Sequence, residues 1–245
     1  ISMSILNSQY EKIYVINLEH RKDRLSKMRT LLDKHHIKYT RFPAINGKKQ
    51  HIYNHWYQKM ISNKHYKIKS PGAFGYLLSF FYILRDAILN NCQQILVLDD
   101  DVKLHLNFND YLNNILFPNN WKLIYYGACH QNHQCQHHLQ ELGSHSYNVS
   151  EFQKLFGKGN IDGSHMIGIH SSIFNELCVL IKKSTYPLDS GPLKDIYSKY
   201  PQDCFVIYPY LAIQDLSESD IQDSISSNYS QHFNKRWGWN PKEYL

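Results

Sequence analysis

Residues 94–101, Gln94-Ile95-Leu96-Val97-Leu98-Asp99-Asp100-Asp101, decide the fold class. A short unbroken aliphatic run bounded by polar residues has the length of a strand buried on both faces, and such strands belong to parallel sheets covered by helices. Upstream, Gly72 to Asn91 reads as a long apolar helix with Leu77, Leu78, Phe81, Leu84, Ala87 and Ile88 facing inward. Further back, Lys12 to Leu18 reads as a first buried strand, Arg21 to His35 as a charged helix, and 37–42 as a second strand ending at Pro43. Residues 46–70, rich in His, Lys and Tyr, read as an excursion holding one helix. Downstream, strands are expected at 121–126, 165–169 and 204–209, a helix capped by Ser171 or Ser172 running to about Lys183, and a short helix after Asp189. Strands alternating with helices predict an α/β domain, a mostly parallel central sheet flanked by helices.

Composition agrees with one folded unit. The 245 residues are 42% hydrophobic and 14% aromatic, with a net charge of +6, which excludes general disorder. The charge suits an anionic ligand but is too dilute for nucleic acid, which calls for a basic stripe. No apolar run reaches the ~20 residues of a membrane span, so none is expected. Five scattered cysteines and no leader-like start favour a reducing, cytoplasmic setting, or a lumenal one if an upstream signal has been trimmed. Three parts are expected: an N-terminal extension or tag remnant over 1–11, the domain over 12–223, and a tail over 224–245 anchored by Trp237 and Trp239.

The acidic end of the 94–98 strand carries the chemistry. Side-chain alternation places Asp99 and Asp101 on one side and Asp100 on the other. Two carboxylates ~4 Å apart repel by about 1 kcal/mol even in water, and a hard divalent cation with oxygen ligands relieves that. A solvated turn or a helix N-cap also favours Asp, but ligands of open α/β sheets bind at the carboxyl ends of strands. The cluster Cys129-His130, His133, Cys135, His137-His138 fits no zinc spacing and reads as a polar loop that shapes a binding edge.

Six segments in order resemble glycosyltransferase family 25: Tyr14-Val15-Ile16-Asn17-Leu18 with Arg21 and Asp23-Arg24; Gly72-Ala73-Phe74-Gly75-Tyr76-Leu77-Leu78-Ser79; Ile95 to Val102; Gly163 to Ile169; Pro187-Leu188-Asp189; and Pro209 with Gln214 and Ser219-Asp220-Ile221-Gln222. The resemblance spans about residues 12–223. It departs from the family pattern at Ala73-Phe74, at Ser79-Phe80, where the family carries Ser-His, and at Asp99, where it carries Glu.

The resemblance implies a GT-A-like fold and a metal-dependent, inverting transfer of galactose or glucose from a UDP-sugar to a hydroxyl acceptor. A glycan, a lipid-linked saccharide or a hydroxylysine-containing protein would serve as acceptor. Manganese or another divalent cation would sit on Asp99 and Asp101, with Asp220 as third ligand by resemblance and His165, Asp215 and His232 as other candidates. Donor contacts fall to Asn17, Leu18, Arg21, Arg24, Gly72, Ser79, Asp99 and Asp100. Inversion needs a base for the acceptor hydroxyl, and Asp189 is the first candidate, Asp162 the second. The Ser79-Phe80 departure motivates the alternative of a catalytically silent homologue that keeps the fold as a nucleotide-sugar-binding scaffold.

Overall fold

A computed structural model describes residues 4–134, 144–216 and 227–245, with side chains from His232 onward in the last segment. The strands are β1 Lys12–Asn17, β2 Thr40–Pro43, β3 Gln94–Asp99, β4 Val102–Leu104, β5 Leu123–Tyr125, β6 Cys129–His130, β7 His145–Asn148, β8 Ile161–Asp162, β9 Met166–His170, β10 Cys204–Tyr208 and β11 Ala212–Gln214. The helices are α1 Ile5–Gln9, α2 Lys22–Lys34, α3 Gln50–Ser62, α4 Pro71–Leu89, α5 Phe108–Asn114, α6 Val149–Phe156, α7 Phe174–Lys183, α8 Lys194–Lys199 and α9 Ser227–Trp237.

Seven strands form the central sheet in the order β2-β1-β3-β9-β5-β10-β7. β2, β1 and β3 pair in parallel, as do β5 and β10. β9 runs antiparallel between β3 and β5, and β7 antiparallel on the edge against β10. The sheet is therefore mostly parallel by strand direction, as the alternating pattern predicts, with two reversed strands that the pattern does not show.

Period-two alternation divides the core. Ile95 and Val97 of β3 join Tyr14 and Ile16 of β1 on the face covered by α4 and α7. Leu96 and Leu98 join Ile13 and Val15 on the face covered by α1, α2 and α5. α4 starts with Ser70 as N-cap, its side chain accepting from the Ala73 amide, and with Pro71 in the first turn, a pairing of cap and fixed φ that favours helix initiation. Asp86 on α4 takes Lys12 Nζ at 2.7 Å and Tyr14 Oη at 2.6 Å, which ties the helix to β1. By length and composition α4 is apolar enough to cross a membrane, contrary to the reading that no run approaches that length; here it packs as a core helix against the sheet and α7.

Three local expectations change. From Ser4 onward the N-terminal segment belongs to the fold: Leu6 and Tyr10 are buried in the core, and Tyr10 Oη lies 2.9 Å from Tyr126 Oη. Ser171 and Ser172 do not cap α7; they form a 3-10 turn with Ile173, whose Ser172 amide is held by the His170 side chain. After Asp189 the chain makes a π-type turn over Asp189–Leu193 before α8. At the C-terminus, Trp237 and Trp239 are buried, and Trp239 Nε1 donates to Ala128 O at 2.9 Å.

Candidate active site

β3 ends at Asp99, and Asp100 and Asp101 form the turn into β4. The turn breaks strand alternation, so Asp100 does not point away: all three carboxylates line one cavity of about 110 Å³ with Leu18, Tyr76 and Gln214. Asp99 continues the Ile95-Val97 face toward α4, where Tyr76 Oη donates to its Oδ1 at 2.8 Å and also lies 2.8 Å from Ser164 Oγ. Gln214 Nε2 donates to Asp101 Oδ2 at 3.2 Å.

Arg24 supplies the nearest positive charge. Its Nη1 bridges Asp100 Oδ1 at 3.0 Å and Asp101 Oδ2 at 3.1 Å, and the residue is 8% exposed. Arg24 lines the cavity, as expected of a donor-site residue, and its burial between two carboxylates makes it their counter-ion as well. Arg21 is likewise engaged, its guanidinium forked onto Asp23 at 3.0 and 2.9 Å, and it lines a neighbouring groove rather than the cavity. Asn17 is 1% exposed. Its amide donates to Asp100 Oδ2 at 2.7 Å and to Arg21 O at 3.0 Å while its carbonyl accepts from Arg41 Nε at 2.9 Å. With every polar atom spent on protein, Asn17 positions Asp100 instead of binding a base or ribose.

One arginine does not neutralise three acids. Burial and the neighbouring Asp101 push Asp99 well above the usual carboxylate range, against the Tyr76 hydrogen bond. Burial raises Asp101 to about 7 despite the pull of Arg24. Asp101 Oδ1 is buried without a hydrogen-bond partner, a costly state for a carboxylate oxygen. Hard oxygen donors, one of them orphaned, fit a hard divalent cation. Among the described residues no group of three or more His, Cys, Asp or Glu is arranged around a metal position, and Asp220 lies outside the described residues. Of the other candidate ligands, Asp215 adjoins the acidic turn, its amide donating to Asp101 O at 2.8 Å, while His165 and His232 make other contacts. His165 is buried, with Nε2 3.3 Å from Ala212 O and its ring edge-on to Trp239. Asp215 lies 3.3 Å from Lys103 Nζ, and His232 is exposed on α9.

The Gly-rich start of α4 forms another wall. Gly72 lines the cavity, and the loop 45–47 lies so close that a Cβ on Gly47 would meet Pro71 O at 1.7 Å and one on Gly75 would meet Ile45 O at 2.4 Å. Ser79 is fully buried; it donates to Gly75 O and accepts from the Ile45 amide, both at 2.8 Å. Gly75 and Ser79 thus hold the loop that brings Lys48 to the cavity wall. Sequence reasoning passed over Tyr76, Lys48, His20 and Gln214 as cavity residues. Tyr76 was findable, because it lies one helical turn from Gly72 on the same face.

A second carboxylate pair stands beside the first. Asp189 accepts from the Gly163 amide at 3.1 Å and the Ser190 amide at 2.8 Å, one on each oxygen. Asp162 accepts from Gln131 Nε2 at 3.1 Å, and its Oδ1 is buried without a partner. Burial and the Asp189 charge raise Asp162 to about 6. Neither lines the 110 Å³ cavity, yet one stretch links the two clusters: Gly163 holds Asp189, Ser164 meets Tyr76, and the His165 carbonyl accepts from the Asp99 amide at 2.9 Å. In the adjoining His/Cys loop, His130 and His133 bond to each other through Nδ1 at 3.2 Å within an aromatic cluster. Burial lowers them to about 4 and about 3. Cys135, His137 and His138 lie outside the described residues.

The chain is 29% identical over 125 residues to an Aedes aegypti protein named Glycosyltransferase 25 family member, covering 47% of this chain and 21% of that one. An Anopheles gambiae protein of the same name is 30% identical over 125 residues, with the same coverage. The match thus spans about a fifth of the length of these relatives. A crystal structure of a glycosyltransferase involved in the glycosylation of the major capsid of PBCV-1 aligns with a TM-score of 0.46 and 12% identity over 91% of this chain and 98% of that one. The family profile described as Glycosyltransferase family 25 (LPS biosynthesis protein) matches residues 10–177, more than half of the sequence, and on that match the chain belongs to glycosyltransferase family 25.

Proposed function

We propose that this chain transfers a hexose, galactose or glucose, from a UDP-sugar to a hydroxyl acceptor with inversion at the sugar carbon, and that the transfer depends on a divalent cation such as manganese. The observation that carries the reading is the orphaned carboxylate oxygen of Asp101 close to Asp99 at the carboxyl end of β3. Asp99 and Asp101 would hold the cation, which when bound supplies Lewis acidity to the oxygens of the leaving diphosphate.

The remaining steps belong to the chain's own residues. Arg24 bridges Asp100 and Asp101 and orients them, leaving Asp101 Oδ1 without a protein partner. Tyr76 fixes Asp99 through Oδ1. Lys48, exposed at the cavity wall without an ion-pair partner among the described residues, offers an ammonium to a phosphate oxygen. The order of the two candidate bases reverses. Two backbone amides occupy the Asp189 carboxylate, one on each oxygen. Asp162, raised to about 6 with one oxygen unsatisfied, is the better matched base near neutral pH. Asp189 then positions the Gly163 backbone and sustains the elevated proton affinity of its neighbour. Inversion follows if Asp162 takes the acceptor proton on the face opposite the departing diphosphate.

The silent-homologue alternative gains nothing from the Ser79-Phe80 departure. Phe80 is fully buried in the core and is no part of the cavity wall, so the change removes no polar group from it. A glycan, a lipid-linked saccharide and a hydroxylysine-containing protein all remain proposed acceptors, and the four described cysteines are free thiols, which supports a reducing compartment. A nucleotide-release assay with a panel of nucleotide sugars, with and without manganese, tests the proposal. Release from one UDP-hexose that requires the metal is the expected result. Metal-dependent binding without release from any donor would favour the silent homologue.

A further inference from the structure

Residues 34–85 contain no Asp or Glu and ten Lys or Arg, an excess greater than the +6 of the whole chain. The centre of this stretch is α3. Its inward face is short: Trp56 is buried and donates Nε1 to Ile68 O at 2.9 Å, and Ile52 and Met60 pack against the same core. One step around the helix, Tyr53, Tyr57 and Ile61 stand in a row at i, i+4 and i+8, exposed by 39%, 41% and 56%. Such spacing aligns three side chains along about 12 Å of helix. The tyrosine rings lie parallel at 6.2 Å and 8°. At the two ends of the helix and in the segment after it lie Lys48, Lys49, Lys59, Lys64, Lys67 and Lys69, none in an ion pair among the described residues.

We infer that α3 docks the protein on an anionic lipid surface, with Tyr53, Tyr57 and Ile61 entering the interfacial layer and the flanking lysines meeting the headgroups. Charge complementarity selects a negative partner, and the apolar row selects a bilayer over a soluble polyanion. Tyrosine suits the boundary between headgroups and acyl chains, and an exposed isoleucine gains free energy only where apolar volume receives it. A saccharide would find no hydrogen bond at Ile61, and neither the cavity nor the neighbouring groove described above is lined by α3. Several lysines beside an amphipathic helix suffice for reversible, salt-sensitive association. The helix begins two residues after Lys48 of the cavity wall, so docking would hold the site close to the surface of the membrane. The inference does not depend on the proposed reaction.

The test is flotation of the full chain with vesicles of phosphatidylglycerol and phosphatidylcholine against vesicles of phosphatidylcholine alone, without nucleotide or metal. Binding only to the anionic vesicles, weakened by salt, is expected. The triple variant Tyr53→Ser/Tyr57→Ser/Ile61→Ser and the variant Lys59→Glu/Lys64→Glu/Lys67→Glu should each lose about tenfold or more in partitioning while keeping wild-type circular dichroism and melting temperature. Absence of flotation with anionic vesicles overturns the inference. So does flotation that the triple variant retains while soluble dextran sulfate competes it away, since the site would then be one for polyanions. A wild-type dimer by light scattering that the triple variant dissociates, without loss of flotation, would assign the row to a second copy instead and overturn it equally.

Discussion

The two carboxylate clusters joined by residues 162–165 solve the same problem in different ways. At the end of β3, Asp99, Asp100 and Asp101 share a side-chain cation, Arg24, which bridges two of them and leaves one Asp101 oxygen without a partner. Around Asp162 and Asp189 no side-chain ion pair is present among the described residues. Backbone amides hold Asp189, and Asp162 retains affinity for a proton. The first cluster has a cation of its own and one unpartnered oxygen, an arrangement suited to recruiting a further ion, whereas the second has no such cation and holds one acid able to exchange a proton near pH 6. Two neighbouring acid clusters with different partners would allow a division of labour between ion binding and proton transfer.

The largest expected effect breaks the first cluster. Asp101→Ala should abolish the rise in melting temperature produced by manganese with a UDP-hexose and reduce turnover by about 10³-fold or more. A retained thermal shift would separate ion binding from this side chain. Next comes the counter-ion itself. Arg24→Met leaves two enclosed carboxylates unpaired and should cost about 3 kcal/mol in a urea titration without metal. Added manganese should recover part of that loss if the ion and the arginine neutralise the same oxygens. An equal loss with and without manganese would show that they do not.

The second cluster is probed through rate. Asp162→Asn should lower kcat about 10²-fold while leaving donor-induced thermal stabilisation intact, and Asp189→Asn should cost about tenfold or less. The reverse ranking in steady-state assays would return the base role to Asp189. A smaller but diagnostic effect is the pH profile. A base must be ionised to act, so kcat/KM should rise with pH through about 6, the value to which burial and Asp189 raise Asp162, and level off above it. That limb should vanish in Asp162→Asn. A wild-type profile flat from pH 5 to 7 would argue against proton removal by Asp162.

Much of the scaffold could be read from local pattern. The Ile95-Leu96-Val97-Leu98 run, the β-branched segment at 12–18 and the apolar helix after Gly72 each fall in place because short-range periodicity reports which face of an element is buried. The placement of one helix within 46–70 followed in the same way, and α3 fills it. The resemblance in ordered motifs led to the right family, and the Gly-rich motif marks a tight approach. Gly75 is an instance: any side chain there would strike the backbone of Ile45.

What local pattern could not decide was partnership across the chain. Asp100 was expected to point away because alternation was extended past the end of the strand, where a turn takes over. Arg24 and Asn17 were assigned to the donor, but they meet Asp100 across 76 and 83 residues of sequence. The antiparallel insertion of β9 between β3 and β5 was equally silent in the pattern, and the segment leading into this strand brings Ser164 and His165 to the acidic strand end. Local order along the chain was enough to set the strands, the helices and the acidic turn, because those follow from the burial and backbone preferences of neighbouring residues. Which charge each acid meets was settled by the folded arrangement, because electrostatic pairing depends on distances in space that a linear chain does not record.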